Sequence, residues 1–245
     1  MSMRATHRGA PLPYTTLAGV VPSPRGWLAV TGKLQGITLS AEEPQLFPGF
    51  LDVMDYKPAY QVIAVFIPIG LLDDPVAGGR SCDREARRLL GWPRAGAIAS
   101  APVRKALACS TYEEAAAANG GFLSPVTWRQ RRRMAEIDRD IGPYWQRTVF
   151  EVHPELSFYQ LNGDRPMSFS KHTQAGKEER EQVLLTRFPG VERIVNATIP
   201  GISRVRLLDA AACLWTARRI MSRAVARLPE DPEWDTTGLR MEFVR

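Results

Sequence analysis

The chain has 245 residues, of which 44% are hydrophobic and 24% are charged, a balance that excludes wholesale disorder and a fibrous architecture. Its longest apolar stretch, 62–72, is interrupted by Pro68 and Gly70, and residues 1–14 lack the apolar core of a secretory signal. We therefore expect a cytoplasmic protein with no membrane partner. Its three cysteines form neither a disulfide framework nor a CxxC zinc motif, so we expect them to be reduced thiols. The net charge of +6 permits an acidic partner such as nucleic acid.

The first predicted elements form an antiparallel meander. Residues 1–14 mix Arg, Pro and Gly without periodicity and are predicted to be a loose tail, so that one domain covers 15–245. Short apolar segments separated by turn residues then predict three strands, which are Thr16–Val21, Trp27–Thr31 and Gly36–Ser40.

A buried strand and several helices follow. The apolar run Gln61–Ile67 is too short for a helix and carries β-branched residues, which predicts a central strand of a mixed or parallel sheet. Ser81 is a candidate N-cap and Gly91 a stop signal for the helix between them. The predicted helices are 82–90, Tyr112–Ala118, Thr127–Ile141 and Lys177–Phe188.

Two further elements carry polar side chains of interest. Alternation over Thr148–Phe158 predicts a strand with Glu151 and His153 on one face. Ile202–Arg227 is predicted to be a long amphipathic helix, in which Asp209 lies along the buried stripe and therefore needs a partner.

Several phrases of the sequence resemble a known family. In chain order they are Gly26-Trp27-Leu28-Ala29-Val30, Ile67-Pro68-Ile69-Gly70-Leu71, Cys82-Asp83-Arg84-Glu85-Ala86-Arg87, Glu151-Val152-His153-Pro154-Glu155, Leu208-Asp209-Ala210-Ala211 and Gly238-Leu239-Arg240-Met241-Glu242. The chain resembles, from about Leu17 to its C-terminus, the family called domain of unknown function 429, described as predicted ribonuclease H-like nucleases. This resemblance implies an α/β fold with a ribonuclease H-like mixed sheet, an antiparallel meander plus parallel strands, flanked by helices.

The resemblance also implies where metal ligands belong. In nucleases of this fold, carboxylates from the first strand, the central parallel strand and the C-terminal helix hold two Mg²⁺ ions that activate water. The first two acids correspond to Val21 and Phe66, which cannot bind a metal, and an acidic pair on the helix corresponds to Val205 and Arg206. The acids that remain of the inner set are Glu151 and Asp209.

These departures imply an incomplete metal site. Because Mg²⁺ needs several oxygen ligands, the loss of two should remove most of its affinity. We expect the Arg206 guanidinium to replace a cation by pairing with Asp209 or Glu151. Metal-dependent phosphodiester hydrolysis is then expected to be impaired, which leaves a binding scaffold.

The candidate site residues follow from the same comparison. Glu151 and Asp209 are the catalytic and metal-ligating candidates, and His153 is a candidate base or ligand. A structural hydrogen bond is the alternative role for His153, and neutralisation by a nearby arginine is the alternative for Asp209. The residues expected to contact phosphate or another anion are Arg84, Lys171 and Arg206.

Three functions stay open from the sequence. The first is a scaffold that binds nucleic acid, a small anionic ligand or another protein, as a monomer or a homo-oligomer. The second is an active nuclease in which Glu151, Asp209 and either Glu155 or His153 hold one Mg²⁺ or Mn²⁺, the cofactor needed only in this case. The third is metal-free chemistry on a small metabolite. The arginine run 129–133 either follows a phosphate backbone or forms a solvated helix face.

Overall fold

The computed structural model describes residues 13–245 and begins with four strands. They are β1 (Thr15–Ser23), β2 (Gly26–Gln35), β3 (Thr38–Ala41) and β4 (Gln45–Phe47). β1 and β2 form an antiparallel hairpin in which Gly19 lies opposite Val30, and both β3 and β4 pair with β2 in the antiparallel sense. The predicted meander is therefore confirmed, while the predicted tail lies outside the described residues except for Pro13 and Tyr14.

Two parallel strands extend the sheet from the other side of β1. β5 (Val62–Val65) runs parallel to β1, and β6 (Val149–Glu151) runs parallel to β5. The strand order is β3-β2-β1-β5-β6. This mixed sheet, with an antiparallel meander followed by parallel strands, confirms the predicted ribonuclease H-like α/β arrangement.

Helices cover both faces of the sheet. They are α1 (Phe50–Met54), α2 (Ser81–Leu90), α3 (Arg104–Leu107), α4 (Tyr112–Ala118), α5 (Pro125–Asp140), α6 (Pro154–Leu161), α7 (Gln174–Arg187), α8 (Glu192–Val195) and α9 (Arg204–Met221). Leu17 and Val21 of β1 pack with α9 on one face, whereas Ala18 and Val20 pack with α1 and α5 on the other. No helix within residues 13–245 combines the length and the apolarity needed to cross a bilayer.

Helix α9 packs directly against the backbone of β1 at Gly19. A Cβ atom added there would lie 2.2 Å from the carbonyl oxygen of Ala210 and 2.2 Å from the backbone nitrogen of Leu214. Because neither backbone atom can move away independently of its helix, only glycine allows this contact. The close packing fixes the position of α9, and of Asp209 on it, relative to β1.

Two predicted elements are shorter than expected. The strand predicted over Thr148–Phe158 ends at Glu151, because Pro154 begins α6 with the φ angle that suits a first helical residue. The helix predicted over Ile202–Arg227 ends at Met221, and Arg223 adopts the left-handed conformation with φ 56° that interrupts a helix. Arg227 instead begins β7 (Arg227–Trp234), which pairs with β8 (Arg240–Val244) in an antiparallel hairpin.

Candidate functional site

Val21 and Phe66, two positions to which the resemblance assigned acids, lie at the edge of the sheet where the parallel pairing of β1 and β5 ends. The Phe66 N–H donates to the Val20 carbonyl oxygen over 2.8 Å, so Phe66 lies beside Val21. Glu151 is the last residue of β6 and lies opposite Val65. We call this the carboxyl edge, which in open α/β sheets is the usual place for a ligand site.

Glu151 is held by a buried ion pair with Arg80, which lies directly before α2. The two guanidinium nitrogens of Arg80 donate to the Glu151 carboxylate oxygens over 2.6 and 2.8 Å, and the Ile69 N–H donates over 2.7 Å. Arg80 also binds Asp83 over 2.9 Å and the carbonyl oxygens of Ile69 and Gly70. Burial raises the pKa of Glu151 to about 7, although the Arg80 charge acts in the opposite direction.

Asp209 is held by a different cation. The Lys171 ammonium donates to Asp209 Oδ2 over 2.7 Å and lies 5.6 Å from the centre of the Phe66 ring. Asp209 is 4% exposed, and its Oδ1 atom accepts no hydrogen bond from the described residues. Burial raises the pKa of Asp209 above its ordinary range, against the attraction of Lys171. This carboxylate therefore depends on Lys171 for its compensation.

The structure does not bring Glu151 and Asp209 into one cluster. Val149 packs on the α5 face of the sheet and Phe150 on the α9 face, so strand alternation places Glu151 on the α5 face. Asp209 projects from α9, which covers the opposite face. The two candidate ligands thus belong to separate ion pairs, Glu151 with Arg80 and Asp209 with Lys171, which the predicted strand and helix did not indicate.

The prediction that Arg206 pairs with Asp209 or Glu151 was wrong. Arg206 donates from Nε to the Pro22 carbonyl oxygen over 3.2 Å, and its bonds in the described residues include neither Asp209 nor Glu151. It therefore caps the end of β1. Arg84, another predicted anion contact, donates to the Gly79 carbonyl oxygen and lies on α2, apart from Lys171.

A third buried ion pair was not predicted. Glu155 on α6 accepts two hydrogen bonds, over 2.8 and 2.9 Å, from one guanidinium nitrogen of Arg180 on α7. Arg180 also donates to the carbonyl oxygens of Phe169 and Gly176, so it joins α6 to the loop that carries Lys171. A charged residue in a polar segment is usually solvated, and no local sequence pattern distinguished Arg180 or Arg80 from such residues.

His153 serves as the N-cap of α6. Its Nδ1 atom accepts a hydrogen bond from the Glu155 N–H over 3.2 Å, and its ring lies edge-on to Phe66 with 4.6 Å between ring centres. Burial, reinforced by the charge of Lys171, lowers the pKa of His153 to about 3. The imidazole is therefore neutral at physiological pH, in the structural role that was the alternative to a catalytic one.

This burial predicts a pH dependence of stability. Because the folded pKa of His153 lies below its unfolded value, the contribution of His153 is fully present above about pH 6.5 and is lost as the pH falls towards 3. H153N keeps an N-cap acceptor but removes the titration. Its free energy of unfolding should therefore fall less steeply between pH 6 and 4, by up to about 1.4 kcal/mol per pH unit, in urea titrations. Equal slopes for H153N and the wild type would contradict this assignment.

The side chains at the carboxyl edge do not fit a pair of divalent cations. Within residues 13–245 no three His, Cys, Asp or Glu side chains are grouped so that they could hold a metal ion. Glu151 and Asp209 direct oxygens to Arg80 and Lys171, and Val21 and Phe66 offer no lone pair. Mg²⁺ requires several oxygen ligands in near-octahedral geometry, which this donor set does not supply.

Residues 19–234 match the model of a family described as protein of unknown function DUF429. The chain belongs to this family. The match covers most of this DUF429 chain, including β1 from Gly19 onward, the carboxyl edge and α9. Searches of curated proteins and of solved structures found no match. The family description states no activity.

Proposed function

We propose that this DUF429 protein is a cytoplasmic binding scaffold in which the metal site of a ribonuclease H-like nuclease is degenerate. One observation carries the proposal: each remaining candidate acid is paired with a basic side chain of the same chain. Glu151 lies 2.6 Å from an Arg80 nitrogen, and Asp209 lies 2.7 Å from the Lys171 nitrogen. Arg80 and Lys171 thus neutralise the carboxylates that would otherwise be neutralised by divalent ions.

The energetics of these pairs oppose metal binding. A cation that bound Asp209 would have to displace Lys171, and one that bound Glu151 would have to displace Arg80, whose side chain is 1% exposed. Removing one partner of a buried ion pair leaves an uncompensated charge that costs about 3–5 kcal/mol. With Val21 and Phe66 in the other two positions, few oxygen ligands remain to offset that cost.

Loss of hydrolysis leaves binding as the retained property of the fold. The partner classes compatible with the basic net charge are nucleic acid and small anionic ligands. Metal-free catalysis by His153 receives little support, because this imidazole is 5% exposed and its Nδ1 lone pair is already used by the Glu155 N–H.

The test compares the wild type with D209N. Both proteins are incubated with single-stranded and double-stranded oligonucleotides in Mn²⁺ or Mg²⁺, with a metal-free sample as control. We expect no metal-dependent cleavage by either protein and no rise of the wild-type melting temperature with Mn²⁺, since a ligand stabilises only a state that it binds. Metal-dependent cleavage that disappears in D209N, with an unchanged circular dichroism spectrum, would contradict the proposal.

A further inference from the structure

A basic and aromatic surface lies at the start of α5, away from the ion pairs of the carboxyl edge. We define the α5 surface by Arg129, Arg131 and Arg132 with the aromatic residues Trp128 and Phe122. Arg129 and Arg132 are exposed, and Arg131 is half-buried. Since α5 packs on the face of the sheet opposite to α9, this surface is separate from Lys171 and Asp209.

The charge of the α5 surface is not neutralised by the rest of the described protein. Among residues 13–245, neither Arg129, Arg131 nor Arg132 takes part in an ion pair. The next arginines of α5 are different, because Arg133 binds Glu136 over 3.0 Å and Arg139 binds Asp140 over 2.7 Å. The sequence contains no Asp or Glu between residues 115 and 135. Three positive charges within about one helical turn therefore favour an anionic partner.

One of these guanidinium groups is held in place. The Arg131 guanidinium lies 3.7 Å from the centre of the Trp128 ring and donates to the Trp128 carbonyl oxygen over 3.3 Å. Cation–π contact of this kind holds the guanidinium group and reduces the ordering needed when it binds phosphate. Arginine binds phosphate through two parallel hydrogen bonds, which suits it to a phosphate chain.

Phe122 adds a ring that is presented to solvent on a fixed backbone. Its side chain is 89% exposed, although the backbone around it is held by two side chains. Asn119 donates from Nδ2 to the Phe122 carbonyl oxygen, and the Tyr112 hydroxyl donates to the Leu123 carbonyl oxygen over 2.7 Å. An exposed ring in the loop before α5 and unpaired arginines in the first turns of α5 are the two kinds of group by which proteins bind single strands, with a base stacked on the ring and phosphates on the guanidinium groups.

We infer that the α5 surface binds single-stranded nucleic acid, with Phe122 stacking on a base and the arginines contacting the backbone. This inference rests on the proposed function in one respect, which is that the protein binds its partner and does not cleave it. The three arginines of the surface can contact about three phosphates of one strand. A duplex, whose bases are already stacked, would leave Phe122 without a partner.

The experiment measures fluorescence anisotropy with a labelled 12-nucleotide oligouridylate, in EDTA so that no metal-dependent cleavage can intervene. With about three phosphate contacts, the logarithm of the binding constant should fall against the logarithm of salt concentration with a slope near about −2. R129Q/R132Q should weaken binding at least about tenfold and bring the slope to about −0.7, because two contacts are removed. F122A should weaken binding about tenfold at an unchanged slope, since stacking is independent of salt.

Controls separate this surface from general charge effects. R88Q removes an exposed arginine of α2 and should bind as the wild type does. A 12-base-pair duplex should bind more weakly than the single strand, and equally well to F122A and to the wild type. Undetectable binding, equal binding of R129Q/R132Q and R88Q, or equal binding of a polyglutamate peptide would overturn the inference. None of these outcomes bears on metal-dependent cleavage, which is measured separately.

Discussion

Replacing Arg80 by methionine should lower the free energy of unfolding by about 3–5 kcal/mol. Arg80 neutralises both Glu151 and Asp83, and its side chain is buried with both of theirs. Methionine keeps the apolar stem but leaves two buried carboxylates without a cation. Without the guanidinium the pKa of Glu151 must rise further above its ordinary range, so the loss should be larger at pH 8 than at pH 5, where protonation relieves it.

The matched control for this variant is R88M. Arg88 lies on the same helix, α2, but is exposed and takes part in no ion pair within the described residues. Its replacement should change the free energy of unfolding by less than about 0.5 kcal/mol. Chemical denaturation at both pH values gives the comparison. A loss below about 1 kcal/mol for R80M, or a loss equal to that of R88M, would show that Arg80 does not compensate these acids.

The second large effect is expected for G19A. The added methyl group would lie 2.2 Å from backbone atoms of Ala210 and Leu214, so α9 must move away from β1 as a unit. We expect a loss of about 3 kcal/mol or more, at the upper end of overpacking effects in cores. Because α9 carries Asp209, its displacement should also weaken the Lys171 ion pair.

Gly32 provides the matched control for G19A. It lies on β2, and the three heavy atoms nearest to an added Cβ would be methyl carbons of Leu39 and Leu214, at 3.0 to 3.2 Å. Flexible side-chain ends can give way where backbone cannot, so G32A should cost about 1 kcal/mol or less. Thermal and urea unfolding measure both variants. The packing argument would be wrong if G19A were no less stable than G32A.

Much of the fold could be predicted because its signals are local. Alternating and continuous apolar segments located β1, β2, β3 and β5, and α4 has the predicted bounds Tyr112–Ala118. The hairpin of β7 and β8 was missed because β7 is polar along much of its length and lacks the apolar alternation that predicts a strand; its pairing with β8 stabilises it instead. The α6 helix was missed because three alternating residues before Pro154 were extended into a longer strand.

The candidate site was predictable in kind but not in detail. The position of Asp209 on the buried stripe of α9 indicated correctly that this carboxylate needs a partner. The partner is Lys171, 38 residues earlier in the chain, and the partner of Glu151 is Arg80, 71 residues earlier. Such pairings depend on how loops fold over the carboxyl edge, so the residue pattern within one helix or strand does not predict them.

The central claim is that built-in cations hold the candidate acids, and a crystal soaked in Mn²⁺ tests it most directly. We expect Lys171 Nζ within hydrogen-bond distance of Asp209, Arg80 paired with Glu151, and no anomalous manganese peak at either carboxylate. A manganese peak bonded to Asp209 or Glu151, with Lys171 or Arg80 displaced from its carboxylate, would contradict it.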